Sequence, residues 1–236
     1  LGACIGKYLA SEGAKVVLMG RRKEEGDKLV AEIEAEGGEA MFLVTDVMDH
    51  AVVQGNCDEI MARHGRVDAL LNAAGGNMPG ATIAPTGTFF DIDVKAFEKV
   101  LNVNLTGTVI PTQVFLKPMV DAGKGAIVNF SSMASFRPMT RVMGYAAAKA
   151  GINNFTAFMA NEIATKFTSG IRVNAIAPGF FLTNQNRSLL TNPDGSLTPR
   201  GEEELCGTIQ YLISDASLFV TGAVAVVDGG FNIFAM

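Results

Sequence analysis

The sequence predicts a single α/β domain in which helices cover both faces of a doubly wound parallel sheet. Two observations lead to this prediction. Short apolar runs bounded by glycine, proline or aspartate alternate along the chain with longer stretches whose apolar residues recur every three or four positions. The short runs are almost continuously apolar, as parallel strands covered on both faces are. With 236 residues, 48% of them hydrophobic, the chain can bury one sizeable core.

The predicted strands and helices alternate along the chain. The strands are 15–19, 40–44, 67–72, 125–131, 171–177 and 223–227, and the helical stretches between them are 22–36, 50–64, 93–122, 144–168 and 202–213. The residues before the first strand also have a helical pattern. Because strand–helix alternation is typical of parallel sheets, we expect ligands to bind at the carboxyl ends of the strands.

Composition and charge argue against several classes of function. The net charge of −5 argues against a nucleic-acid partner, which needs a basic surface. The sequence contains no apolar run of about 18 residues, so no membrane-spanning segment is predicted. Cys4, Cys57 and Cys206 are scattered, and the chain has only two histidines, so neither a disulfide framework nor a metal site is expected. These features predict a soluble, cytoplasmic protein with no membrane partner.

Two features of the chain concern its organisation. The sequence opens at Leu1 with a helix that leads into a strand, which predicts that a core strand and its turn precede this residue. Two long irregular stretches, 75–92 and 178–200, each follow a strand end, and long loops in compact domains are often functional. The second is rich in Asn, Gln and Thr, which suits a polar ligand, although a solvated surface loop is the alternative.

The residues after the first two strands suggest a dinucleotide site. Gly20 is followed by Arg21 and Arg22, where a dinucleotide-binding sheet often has an acid that bonds the adenosine ribose. Arginine instead accommodates a 2′-phosphate, so the sequence favours NADP(H), with NAD(H) as the alternative. Asp46 and Val47 follow the second strand, and the carboxylate could bond adenine or simply cap a turn.

Small residues and a chain reversal follow two later strands. The "NAAG" turn at 72–75 would let the backbone approach a flat ligand closely, although a tight strand–helix turn explains the same residues. Pro178 and Gly179 end another strand, and backbone at this turn could bind a nicotinamide carboxamide, with Thr183 nearby. The alternative is an ordinary Pro-Gly turn.

Four polar residues stand out as candidates for proton chemistry. Tyr145 and Lys149 in "GYAAAKAG" are four positions apart and therefore share one face of a helix, although a Tyr followed by a solvated Lys is the simpler interpretation. Ser132 follows the strand at 125–131. Asn104 lies inside a helix, where Asn is unfavourable, so it either holds a water in a proton relay or is a satisfied core amide.

In their order and spacing these features resemble the short-chain dehydrogenase/reductase family over nearly the whole chain. The matching positions are Asp46, "NAAG" at 72–75, Asn104 in "NVNLTG", Ser132, Tyr145, Lys149 and "PGFFLT" at 178–183. The family's glycine-rich first turn is represented only by its tail, Leu1 and Gly2. The resemblance implies one NAD(P)-binding, Rossmann-like domain over 1–236, with the first strand and most of that turn ahead of Leu1, and 178–200 as the substrate loop.

The resemblance also implies a mechanism. Tyr145 exchanges a proton with the substrate oxygen, and Lys149 lowers the pKa of Tyr145 and holds the nicotinamide ribose. Ser132 bonds the substrate oxygen, and Asn104 completes a water relay to Lys149. The implied cofactor-binding residues are Leu1, Gly2, Arg21, Arg22, Asp46, Val47, Asn72, Ala73, Ala74, Gly75, Tyr145, Lys149, Pro178, Gly179, Phe181 and Thr183.

Within the family, three stretches resemble the D-mannonate oxidoreductase (fructuronate reductase) branch, which interconverts D-fructuronate and D-mannonate in hexuronate catabolism. They are "NAAGGNMPGAT", "NFSSMASFRPMTRVMGYAAAKAGINNFT" and "RVNAIAPGFFLTNQNRSLL". An anionic polyhydroxy acid needs amides for its hydroxyls and Arg for its carboxylate. The substrate-binding residues expected on this basis are Ser132, Tyr145, Asn184, Gln185, Asn186 and Arg187. Arg137 and Arg141 flank the active face, but any single arginine could equally be a surface or subunit-contact residue.

Three alternatives remain at this stage. A gluconate 5-dehydrogenase-like enzyme would share the motifs, whereas a 3-oxoacyl thioester reductase would need a basic patch for its acidic carrier. A sensor that binds NADP(H) without catalysis would not need the Ser–Tyr–Lys–Asn set. The family resemblance further implies a homotetramer or homodimer that packs the helices at 93–122 and 144–168 between subunits.

Overall fold

The computed structural model describes residues 1–138, 141–181 and 201–233. Its strands are β1 (Lys15–Gly20), β2 (Glu39–Val44), β3 (Ala69–Asn72), β4 (Gly125–Phe130), β5 (Ile171–Pro178) and β6 (Val224–Val227). Its α-helices are α1 (Gly2–Ser11), α2 (Lys23–Ala35), α3 (His50–His64), α4 (Val94–Leu101), α5 (Gly107–Ala122), α6 (Met143–Lys166) and α7 (Cys206–Ile213). Strands and helices alternate as predicted, and the paired strands are parallel, so the α/β fold is confirmed.

The strands of the described part of the chain form two sets. β1 pairs with β2, and β3, β4, β5 and β6 pair in that order. β1 and β3 face each other across a groove of about 1430 Å³, which both strands line with apolar side chains such as Val16, Leu18 and Leu70. The strand predicted ahead of Leu1 stays a prediction.

Two apolar clusters cover the opposite faces of the four-stranded set. On one face α3, α5 and α6 bring residues such as Phe115 and Ile163 against Ile127 of β4. On the other face α1 and α7 bring residues such as Ile5 and Ile209 against the next β4 residue, Val128. Consecutive strand residues point to opposite faces, which is why the apolar run of β4 is continuous. β5 is likewise buried at every position.

Local signals in the sequence explain where several helices begin and end. Asp49 caps α3, because its carboxylate accepts hydrogen bonds from the backbone N–H groups of Ala51 and Val52. Gly65 and Gly123 end α3 and α5 in the left-handed conformation, each with φ of 72°. Glycine adopts this conformation without the steric cost that other residues incur.

The structure differs from the predicted helices in two places. The helix predicted over 93–122 is interrupted, because a π-helical turn at Asn102–Thr106 separates α4 from α5. The stretch predicted as helical over 202–213 begins with a 3₁₀ turn at Glu202–Leu205 before α7. Among the described residues no helix has the length and apolarity needed to span a bilayer.

Candidate active site

Helix α6 places the predicted Tyr–Lys pair at the carboxyl end of β4. Tyr145 and Lys149 lie on one face of the helix, with the Nζ atom of Lys149 5.4 Å from the centre of the Tyr145 ring. Lys149 is buried, with 4% of its surface exposed. Met78, from the loop after β3, and Tyr145 both pack against a small apolar cluster formed by Ala81, Ala96 and Val100. The pair is thus enclosed between two strand ends, and the interpretation as a solvated surface Lys is wrong.

Lys149 is fixed by the backbone of the neighbouring strand. Its Nζ atom donates a hydrogen bond of 2.6 Å to the carbonyl oxygen of Phe130, the last residue of β4. Burial lowers the pKa of Lys149 to about 8. Desolvation disfavours the ammonium form, and a single carbonyl acceptor does not fully offset that cost.

The pKa of Tyr145 differs from the sequence prediction. Burial raises the pKa of Tyr145 above its ordinary value, and a hydrogen bond with the side chain of Ser132 acts in the opposite direction. Lys149 was expected to lower this pKa, but the loss of hydration around the phenol outweighs other influences here. The phenol is accordingly held protonated at neutral pH, which suits a proton donor.

Asn104 lies in the π-helical turn between α4 and α5, and its side chain is engaged with backbone. Its Nδ2 atom donates to the carbonyl oxygens of Gly76 and Val100, at 2.7 and 2.8 Å, and its Oδ1 atom accepts from the Gly76 N–H at 3.1 Å. Both amide hydrogens are therefore used. The side chain of Asn104 thus has the bonds of a satisfied core amide, which was the alternative, and the predicted water relay stays a prediction.

The engagement of Asn104 fixes the loop that follows β3 beside Lys149. A Cβ atom at Gly75 would overlap Oδ1 of Asn104 and lie 3.4 Å from Nζ of Lys149. Glycine at this position is required by the close approach of these two side chains. The sequence motif "NAAG" and the polar residues of α6 thus belong to one site.

Ser132 begins a 3₁₀ turn, Met133–Ser135, directly after β4. Its Oγ atom accepts a hydrogen bond of 3.2 Å from the backbone N–H of Ala134. This bond leaves the hydroxyl hydrogen for another acceptor. Ser132, Tyr145 and Lys149 are therefore brought together, as the sequence predicts.

Asn72 is buried, and its side chain forms hydrogen bonds with the neighbouring strand β4 and helix α5. Its Nδ2 atom donates to Oγ1 of Thr112 on α5 and to Oδ1 of Asn129 on β4, both at 2.9 Å. Asn129 in turn donates to Oγ1 of Thr156 on α6. This polar row uses both amide hydrogens of Asn72, and its role as a cofactor ligand stays a prediction.

The remaining cofactor candidates near the amino-terminal half line the groove between β1 and β3. These residues are Gly2, Arg21, Arg22, Asp46, Val47, Ala73, Ala74 and Gly75. Asp46 caps its own turn by accepting from the Met48 N–H at 3.0 Å, yet it stays exposed. The small side chains at 73–75 leave the room that a flat, extended cofactor needs, so these residues fit a dinucleotide.

The two arginines after β1 have different surroundings. Arg22 forms an exposed ion pair of 2.8 Å with Glu25 on the next helix turn. Arg21 is also exposed. A bound phosphate would therefore compete with Glu25 for Arg22, and Arg21 is the better placed of the two to meet it.

The remaining candidate residues lie in or after the turn that follows β5. A Cβ atom at Gly179 would lie 2.7 Å from the Cα atom of Asp228, so the chain reversal at Pro178 and Gly179 needs glycine for close packing. Phe181 is buried in the apolar cluster of α1 and α7, and the cofactor-binding role expected of it stays a prediction. Thr183, Asn184, Gln185, Asn186 and Arg187 lie outside the described residues.

Sequence reasoning missed two residues that contact this site. Met78 packs against the same apolar cluster as Tyr145, and Asn153 lies four positions after Lys149 on the same face of α6. The spacing of Asn153 could have revealed it, because positions four apart are neighbours on a helix. Nothing in the local sequence distinguishes Met78 from an ordinary loop residue.

Comparisons with known proteins agree with this geometry. A family model for short chain dehydrogenases matches residues 1–194. The oxidoreductase UxuB of Bacillus subtilis (strain 168), whose function is uncharacterised, is 42% identical over 258 residues, covering all of this chain and 92% of the relative.

Two solved structures extend the comparison. A provisionally named D-mannonate oxidoreductase from Haemophilus influenza, solved with NAD, has a TM-score of 0.90 and 37% identity and covers 99% of this chain and 91% of its own. A gluconate 5-dehydrogenase from Burkholderia cenocepacia J2315, in complex with NADP and tartrate, has a TM-score of 0.86 and 31% identity and covers 98% and 91%.

Proposed function

Because the chain belongs to the short-chain dehydrogenase/reductase family, and is therefore an NAD(P)-dependent oxidoreductase, we propose that it interconverts a keto sugar acid and the corresponding hydroxy acid. The observation that carries the proposal is the half-buried Tyr145 phenol, set beside Lys149 and Ser132 at the strand ends. D-fructuronate and D-mannonate are the pair that we favour. The 37% identity to the Haemophilus protein supports this choice.

In this proposal each polar residue of the site has a separate task. The bound nicotinamide cofactor supplies or accepts the hydride. Tyr145 gives its phenol proton to the substrate oxygen in reduction and takes it back in oxidation. Ser132 donates its hydroxyl hydrogen to the same oxygen and stabilises the charge that develops there. Lys149 holds the ribose and, below pH of about 8, keeps a positive charge behind the phenol.

Asn104 has a supporting part in this account. By binding both backbone groups of Gly76, its amide fixes the loop that forms the floor beside Lys149. The Oδ1 atom of Asn104, which can accept a further hydrogen bond, also lies near Gly75 and Lys149. Asn104 thus contributes by holding the cofactor wall in place, and not by passing protons through its amide hydrogens.

The substrate is recognised, in our proposal, by the loop at 178–200. Asn184, Gln185 and Asn186 supply amides for the hydroxyls of a polyhydroxy acid, and Arg187 supplies a forked donor for its carboxylate. Tartrate, a hydroxy acid, accompanies NADP in the Burkholderia structure, which supports this ligand class. A gluconate 5-dehydrogenase-like substrate is therefore the second candidate.

NADP(H) is the cofactor that we favour. Arg21 and Arg22 follow β1 where an adenosine ribose is expected, and the described chain has no acid at either position. The relatives were solved with NAD in one case and NADP in the other. The preference of this chain therefore depends on its own arginines.

Two further functions are weaker. Relatives at 32% identity include a 3-oxoacyl-[acyl-carrier-protein] reductase from Synechocystis, but the net charge of −5 does not suit an acidic carrier. A non-catalytic sensor would not need the enclosed Tyr–Lys–Ser arrangement. We also propose a homotetramer or homodimer, supported by exposed apolar side chains on the helices concerned, Val94 of α4 and Phe158 of α6.

The test is a substitution of the proposed proton donor. In Tyr145→Phe we expect the turnover of the keto acid to fall by about 10²–10⁴-fold, which is the usual contribution of a general acid, while cofactor binding stays within a few-fold. Tyr211→Phe, at an exposed tyrosine, is the matched control and should keep full activity. Unchanged turnover in Tyr145→Phe would refute the proposed role.

A further inference from the structure

A single amide on α6 joins the two hydroxyls that flank Ser132 in the sequence. The hydroxyl of Ser131 donates to Oδ1 of Asn153 at 2.5 Å, and Nδ2 of Asn153 donates to Oγ of Ser135 at 2.9 Å. Ser135 then donates to the carbonyl oxygen of Ser132 at 2.6 Å. The three bonds form a continuous chain from the helix to the backbone of Ser132.

The residues that form these hydrogen bonds are partly or fully shielded from water. Ser131 has 3% of its surface exposed, and its Oγ atom also lies 3.3 Å from the carbonyl oxygen of Lys149. Asn153 and Ser135 are half-buried. Hydrogen bonds shielded from water are costly to leave unmade, so the amide strongly favours one position of the turn.

Asn153 also lies in register with the catalytic pair. Tyr145, Lys149 and Asn153 are spaced by four residues on α6 and so share one face. Helix α6, which carries the Tyr145 phenol, is therefore also hydrogen-bonded to the turn that carries Ser132. Any displacement of that turn changes the distance between the Ser132 hydroxyl and the phenol.

We propose that Asn153 is a positioning residue, which holds the Ser132 hydroxyl in the place where it and Tyr145 can both reach one substrate oxygen. This inference rests on the proposed function, since it assumes that the two hydroxyls act on the same oxygen. Asn153 itself touches neither substrate nor cofactor. Its effect passes through Ser131 and Ser135.

We expect the loss of the Asn153 amide to change the pKa of Tyr145. The hydrogen bond with Ser132 lowers the pKa of Tyr145 against the effect of burial. When the turn is released, this influence weakens and the pKa of Tyr145 rises. A purely structural role for Asn153 would lower the melting temperature and leave the ionisation of Tyr145 unchanged.

The test follows the phenol directly and needs no substrate. The chain has three tyrosines, so protein labelled with ¹³C at the tyrosine ring carbon that bears oxygen gives few NMR signals, and Tyr145→Phe identifies the one from Tyr145. In Asn153→Ala we expect this signal to shift at neutral pH and its titration to start roughly half a pH unit or more higher. Asn154→Ala, at the exposed neighbouring position, should leave the signal unchanged.

A second variant and a kinetic measurement complete the test. Ser135→Ala removes the partner of the same amide and should reproduce the shift, while the double variant should add little to either single change. In the holoenzyme, Asn153→Ala should lower kcat by about tenfold with the cofactor KM nearly unchanged.

The inference would be overturned if Asn153→Ala and Ser135→Ala both left the Tyr145 signal and its titration as in the wild type. A shifted signal in a protein that reduces no sugar acid would uphold the contact between Asn153 and the Ser132 turn and reject the proposed substrate. The two claims therefore fail on different observations.

Discussion

Lys149 shows at the scale of one residue how the site is tuned. Its ammonium is buried and has one backbone acceptor, the carbonyl oxygen of Phe130. The pKa of about 8 follows from this balance between desolvation and a single hydrogen bond. The protein therefore holds a charge that it could lose within the range of ordinary assay conditions.

This burial predicts a pH dependence of stability. Between pH of about 8 and 10.5 the folded protein has a neutral Lys149 while the unfolded chain still binds a proton, so the free energy of unfolding contributed by this group rises with pH. The full difference across the window is roughly 3 kcal/mol. Urea denaturation of the cofactor-free wild type and Lys149→Met at pH 7, 8 and 9 should show the wild type gaining on the variant.

Parallel stability curves for the two proteins would contradict this prediction. Lys166→Met is the control, because Lys166 lies near the end of the same helix in an exposed ion pair with Glu162. It should show no such pH dependence relative to the wild type. The comparison separates burial from the general effect of removing a lysine.

Single residues were predicted from the sequence with uneven success. The spacing of Tyr145 and Lys149 on a helix was enough to place them together, because that contact is local. The side-chain partners of Asn104 and Phe181 were not predicted, since they depend on strands and loops distant in sequence. The pKa of Tyr145 likewise depends on burial, which only the packed structure gives.

At the scale of elements, the π-helical turn between α4 and α5 determines the shape of the site. It carries Asn104, whose amide holds the backbone of Gly76 in the loop after β3. π-helical turns are often found at functional sites. The recurrence of apolar residues over 93–122 predicted one continuous helix, because that pattern does not distinguish a π-helical turn from an α-helical one.

The contact between this turn and the loop predicts the effect of one methyl group. In Gly75→Ala the added Cβ atom overlaps Oδ1 of Asn104 and approaches Lys149, so the loop or the amide must move. We expect at least a tenfold loss of kcat/KM and weaker cofactor binding, measured by steady-state kinetics and cofactor titration. Wild-type affinity would contradict the close packing.

The control for this prediction is Gly55→Ala. An added Cβ atom at Gly55, on α3, meets no neighbouring atom. Alanine is also favoured over glycine inside a helix by roughly 1 kcal/mol. This variant should keep full activity and be slightly more stable than the wild type.

For the whole molecule, the order of strands and helices was readable from the sequence, because each mainly apolar run is bounded by glycine, proline or aspartate. Helix α6 separates two such runs, the buried strands β4 and β5. The sequence did not predict that β1 and β3 belong to two separately paired sets of strands. Strand pairing joins segments that are distant along the chain. The groove there is lined by Arg21 and Gly75 from opposite sides. An extended cofactor lying across the strand ends would connect them.

The choice of cofactor is a property of this whole groove and predicts a substitution effect. In Arg21→Ala we expect kcat/KM for NADPH to fall by about tenfold or more, while that for NADH changes little, because in our proposal the lost charge would meet only the 2′-phosphate. Arg22→Ala should have a smaller effect, since Arg22 is already paired with Glu25. Equal losses for both cofactors would contradict this assignment.

The central claim is that this chain reduces a keto sugar acid with Tyr145 as proton donor. The most direct measurement follows the loss of NADPH and NADH absorbance with D-fructuronate, 5-ketogluconate and a 3-oxoacyl thioester in parallel, in wild type and Tyr145→Phe. We predict rapid oxidation with D-fructuronate that is lost in the variant. Turnover of the thioester alone, or NADPH binding without turnover of any of the three, would contradict the account.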